Sequence, residues 1–97
     1  LTKALGGSQM SEDPAERART YLDATQKALK LVERVDNADV LRILDYVKRY
    51  IADSKYFLDA GRPTTALASI AYAEGLLDSL KILGLTTSKS LIRLSDR

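Results

Sequence analysis

Residues 56–85, YFLDAGRPTTALASIAYAEGLLDSLKILGL, decide the fold. A helix ends within Tyr56–Asp59, and Gly61 can take the left-handed conformation that closes it. Pro63 then suits the first position of a new helix, where its missing N–H has no partner to lose. From there Ala66, Ile70, Ala73, Leu77 and Leu80 recur at alternating spacings of four and three, with Leu76 and Leu83 beside them. That spacing predicts a helix over about Pro63 to Leu83. Gly84 stops it, and Leu85 is placed to fold back onto Leu80. The stretch reads as an antiparallel helical hairpin and contains no catalytic constellation.

Upstream, Val40, Leu44, Val47, Ile51, Ser54 and Leu58 repeat the same spacing, flanked by Ile43, Tyr50 and Phe57. Asp36 or Asn37 can cap this helix. Its polar side carries Arg42, Asp45, Arg49 and Asp53, and Asp45 is spaced to pair with Arg49 across one turn. A further helix begins at Asp13-Pro14-Ala15-Glu16, a proline-led capping box. Its apolar stripe runs Ala18, Leu22, Thr25, Leu29 and Val32, widened by Tyr21, Ala28 and Val35. Loops this short force consecutive helices to run antiparallel. The expected fold is therefore all-α, a three-helix up-and-down bundle over residues 13–85. Residues 86–97 form a C-terminal tail whose Leu91-Ile92-Leu94 cluster can dock as a short helix or become ordered against another chain. Residues 1–12 read as a flexible N-terminal segment. Within it, Met10 is a candidate native start, and Leu1–Gln9 are either an added remnant or a processed native stretch.

Composition removes several classes of function. The chain has 97 residues, no Cys and no His, and a formal net charge of +2. Disulfides, thiolate metal sites, Ser-His-Asp triads and His-based metal sites are thus excluded within it. Acidic residues are interspersed with basic ones almost throughout, which argues against a nucleic-acid face. No apolar run approaches the roughly 20 residues that span a bilayer, and a cytoplasmic protein is expected. Asp13, Glu16, Asp36 and Asp39 fit helix starts better than a metal site. No catalytic residue, metal or cofactor is expected, and the chain is not expected to be an enzyme.

Tyr56-Phe57-Leu58-Asp59, Gly61, Thr65-Ala66-Leu67-Ala68 and above all Ile70-Ala71-Tyr72-Ala73-Glu74-Gly75-Leu76-Leu77-Asp78 resemble the archaeal family known as domain of unknown function 357. The match is specific over these thirty residues, and upstream it rests on helix order and spacing. Arg62 departs from a position commonly acidic in the family, which predicts a weaker cap on the third helix. The resemblance implies a compact three-helix bundle of archaeal, cytoplasmic origin with no assigned activity. It also implies a loose link to nucleotide chemistry, since similar domains occur fused to cytidylyltransferase-like enzymes, whose nucleotide-binding motifs are not present in this chain.

Six positions stand out as interaction or buried polar sites: Ala68, Ala71, Tyr72, Glu74, Gly75 and Asp78. Glu74 falls about 60° from Leu77 around the helix, at the edge of the buried stripe. A carboxylate there wants a partner. Lys81, or a Tyr or Lys of another helix, is the bland answer, and a functional acid is the sharp one. Ala68, Ala71 and Gly75 form a strip without bulk, to be covered by the tail or another helix of the same chain, or by a second chain. Tyr46, Tyr50, Tyr56 and Phe57 lie among Arg42, Lys48, Arg49 and Lys55, a pattern that can stack bases. Asp45 and Asp53 break it, so core aromatics under a salt-bridged face are the better reading. The expected function is a non-enzymatic protein–protein interaction or scaffold module, bound to a protein partner or a second copy. The alternative is an accessory subunit of a nucleotidyltransferase-type enzyme, lending Glu74 to a shared site.

Overall fold

The computed structural model describes residues 12–32, 35 and 37–86. They form three helices, α1 (Pro14–Lys30), α2 (Ala38–Asp59) and α3 (Pro63–Ile82). The N-terminal segment up to Ser11, Asp36 and the tail beyond Thr86 lie outside the described residues, as do the expectations attached to them.

Each start and stop has a local cause. At α1, the Asp13 carboxylate accepts from the Glu16 N–H at 3.4 Å and Pro14 occupies the first turn. At α2, Asn37 is the cap, its side-chain oxygen accepting from the N–H groups of Asp39 and Val40 at 2.8 and 3.2 Å. Two N–H groups that the helix itself cannot satisfy are thereby bonded. At α3, Arg62 makes no side-chain cap, as its departure from the family pattern predicts. Its guanidinium instead lies over the Phe57 ring, 5.3 Å from the centroid. α2 and α3 end in the same way. Gly61 and Gly84 adopt φ of 74° and 72°. The following N–H reaches back five residues, from Arg62 to the Phe57 carbonyl at 2.8 Å and from Leu85 to the Leu80 carbonyl at 2.9 Å. That pattern bonds carbonyls otherwise left open at a helix end.

No atom comes within 4 Å of a Cβ built on Gly61, so space is not what keeps a side chain out. Gly61→Ala is expected to cost about 1–2 kcal/mol through the left-handed backbone alone, read as a lower midpoint in urea with an unchanged slope.

The end of α1 differs from the stripe that the spacing predicts. The helix closes at Lys30, where the Leu31 and Val32 N–H groups turn back three residues to Ala28 and Leu29, both at 3.1 Å. Val32 and Val35 therefore lie beyond the helix, although both still pack against the core. β-Branched residues crowd a helical turn, whereas in a loop they can cover the core without that penalty.

The core is made by Leu22, Val40, Leu44, Val47, Ile51, Ile70, Ala73, Leu77 and Leu80. α3 packs extensively against both α1 and α2, which touch each other little. The helix shortest of charged residues is thus the one that its two neighbours flank. Small residues meet between α2 and α3. Ser54 and Ala66 are both fully buried, and the Ser54 hydroxyl donates to the Ala66 carbonyl at 2.9 Å.

Candidate functional site

α3 carries all six positions singled out from the sequence, and the fold divides them between two adjoining surfaces. Ala68, Ala71 and Gly75 are exposed, and no described helix lies over them. Among the described residues the strip is therefore not a tight contact between helices, and the tail, the other cover expected for it, lies outside them. Tyr72 borders it, 55% exposed, with its ring edge-on to the half-buried Tyr50 of α2 at a centroid distance of 4.7 Å. Ser79 adds only a hydroxyl, which donates back to the Gly75 carbonyl at 2.8 Å. Ile82, 84% exposed, and Leu83 continue the apolar surface toward the end of the helix.

Gly75 is the odd member. It sits mid-helix, and nothing lies within 4 Å of the position a Cβ would take. Glycine there costs about 0.8–1 kcal/mol relative to alanine, and no packing within the described fold requires it.

The second surface is a groove of about 200 Å³ between α1 and α3. Ala24, Ala28 and Leu77 make its apolar wall, and Glu74, Asp78 and Lys81 border it from α3. The expected pairing of Glu74 with Lys81 does not form. Lys81 Nζ lies 3.7 Å from Asp78 instead, three residues away rather than seven. Of the α1 cations, Lys27 pairs with Asp23 at 3.0 Å and Arg17 donates to the Tyr21 hydroxyl at 2.8 Å. Glu74, half-buried, has no hydrogen bond or ion pair among the described residues. Glu74→Gln is therefore expected to change stability by no more than about 0.5 kcal/mol, where a buried ion pair would lose several. A thermal melt of the variant checks this.

One residue of the groove escapes a reading from sequence. Thr25 counts as a member of the α1 stripe, and it is indeed buried, 2% exposed. Its hydroxyl oxygen, however, has no hydrogen-bond partner, and Thr25 lines the groove beside Glu74. A threonine at a stripe position is the signal that could have found it, since a buried hydroxyl needs a partner from somewhere.

The aromatic and basic cluster of α2 is a core feature only in part, since Tyr46 and Tyr56 are 50% and 67% exposed. The Arg49 guanidinium lies over Tyr46, 5.3 Å from the centroid, and so does not pair with Asp45. Arg42 is bonded to Asp39 at 2.6 Å. Tyr50, Phe57 and Leu58 are half-buried. Lys48 borders a wider, shallower apolar groove of about 320 Å³ between the end of α1 and the first half of α2, with Leu29, Val32 and Leu41.

No described helix is long and apolar enough to cross a membrane. Fold and surfaces together define an all-α three-helix bundle whose central helix is also its least charged surface. Residues 20–86, well over half of the chain, match the family described as "Protein of unknown function (DUF357)". The chain belongs to that family. No curated protein and no solved structure matches it.

Proposed function

We infer that the chain is a non-enzymatic interaction module that receives a helix of another chain across Ala68, Ala71 and Gly75, with Tyr72 at the edge. The observation that carries this reading is Gly75. A glycine in mid-helix weakens α3, no neighbour within the described fold needs its lack of a side chain, and it stands in the middle of an exposed strip free of charge. Such a surface lets a second backbone approach closely, which bulkier residues would prevent. The cytoplasmic, archaeal setting implied by the family resemblance goes with this proposal. The alternative, an accessory role beside a nucleotide-handling enzyme, rests on the resemblance alone, and no distance or contact favours it.

Ala71→Arg tests the reading. The side chain points to open solvent in the bundle, so the variant is expected to melt within a few degrees of the parent. Light scattering across a concentration series then separates the occupants. A parent dimer that becomes a monomer on Ala71→Arg identifies a second copy. A parent that is monomeric throughout makes the partner a different protein, whose capture should be lost in the same variant. An unfolded Ala71→Arg would place the strip inside the fold and overturn the proposal, as would an associated parent whose mass the substitution leaves unchanged.

A further inference from the structure

The groove between the end of α1 and the first half of α2 is lined by Leu29, Val32, Val35, Leu41 and Leu44, with Lys48 at its rim. Leu44 is buried in the core and Leu41 is 50% exposed, so the apolar lining runs from the core out to solvent. Three observations bear on what covers it. The first is position. Ser54, late in α2, is bonded to Ala66, early in α3, so α3 runs antiparallel to α2 and closes at the end of the bundle where α2 opens. Chain leaving α3 therefore emerges at the end that holds the groove. The second is direction. Gly84 turns the chain back with its φ of 72°, and Thr86 is 4% exposed, so the chain beyond α3 is packed rather than running out into solvent. The third is backbone pairing. Val32, in the wall of the groove, takes part in an isolated β-bridge, and the described residues contain no strand to partner it. Such a bridge sets another stretch of backbone about 4.8 Å away.

We propose that the chain following Thr86 crosses Val32 and seats Leu91, Ile92 and Leu94 in this groove. These are the large apolar residues of 87–97. Five residues lead from Thr86 to Leu91, a reach of about 17 Å when extended, against about 8–10 Å between packed helix axes. The segment before α1 is a poorer occupant, because it starts at the far end of a 17-residue helix, about 25 Å from the groove. Covering Leu29 and Leu41 removes apolar surface from water, which drives the seating. The short tether adds an effective concentration on the order of millimolar, so a contact too small to hold a second copy can hold the chain's own tail. Seated there, the tail leaves Ala68, Ala71 and Gly75 open.

The test is NMR on the full chain with labelled Ala, Leu, Ile and Val methyl groups. Nuclear Overhauser contacts from Ile92 or Leu94 to Leu29, Val32 or Leu41 are expected, and a sample mixed from labelled and unlabelled protein should show that they arise within one chain. Leu41→Ser changes a half-exposed side chain and should speed amide exchange at residues 91–95 by about tenfold or more. The triple substitution Leu91→Ser, Ile92→Ser and Leu94→Ser touches no helix. It should move the methyl signals of Leu29 and Leu41 while that of Ile70 stays in place. Absence of the contacts, unaltered exchange in Leu41→Ser, or unmoved Leu29 and Leu41 signals in the triple variant would overturn the proposal. So would contacts found only between chains, which give the groove to a second copy. Contacts from the tail to Ala68 or Ala71 would overturn both this assignment and the reading of the strip. Every other failure leaves the Ala71→Arg result untouched, since that strip is read by oligomeric mass.

Discussion

Ile70→Ala is expected to destabilise the fold by about 2–5 kcal/mol, the range for truncating a large aliphatic side chain in a packed core. Ile70 is fully buried and lies on the helix that packs against both others. Domains of this size hold only about 0.05–0.15 kcal/mol per residue, so the loss is a large share of the total. Its distribution should be unusual. Since α1 and α2 touch little, neither can stay docked when α3 loosens, and both should be lost in one transition. The midpoint of a thermal melt should fall by about 4–8 °C for each kcal/mol, with helicity and Tyr fluorescence superimposing. A first transition that releases α1 while α2 and α3 stay paired would contradict this account of α3.

Ala66→Leu is the second large effect, and it acts by the opposite route. Ala66 and Ser54 are both fully buried and joined at 2.9 Å from hydroxyl to carbonyl, so α2 and α3 meet there without room for a longer side chain. Overpacking alone costs about 1–3 kcal/mol. Separating the helices would also leave the Ser54 hydroxyl buried and unbonded, adding about 1 kcal/mol or more. The expected sum is about 2–4 kcal/mol, measured by urea unfolding. Ser54→Ala, which removes the bond without adding bulk, should cost only about 1 kcal/mol. The double variant should be less destabilised than the two single costs added together, because the bond can be lost only once. Full additivity would mean that Ser54 and Ala66 do not act as one contact.

The helix ends show what local chemistry makes legible. Asp13, Pro14, Gly61, Pro63 and Gly84 each act on the backbone within a few residues, and each performs in the fold as its type and position predict. Ion pairs are less legible for the same reason that they are weak. Asp45 is correctly spaced for Arg49, and Glu74 lies on the Lys81 side of its helix, yet Arg49 settles over Tyr46 and Lys81 beside Asp78. Alternatives that differ by a few tenths of a kcal/mol are chosen by rotamers and neighbours, which spacing does not encode. The end of α1 was legible only in part. Val32 and Val35 continue the apolar rhythm, but they do so from a turn.

By itself, then, the sequence determined two amphipathic segments and a third that is short of charge on both sides, with their caps and stops, their reversal of direction and the residues of the core, because each depends on spacing or on one residue's backbone preference. Tertiary structure decided which helix stands between the other two, that Ala68, Ala71 and Gly75 face solvent, and that Thr25 of α1 comes to line the same groove as Glu74 of α3. Those facts depend on how far each helix is rotated toward its neighbours. That rotation minimises the whole core's free energy at once, and no single stretch of chain contains it.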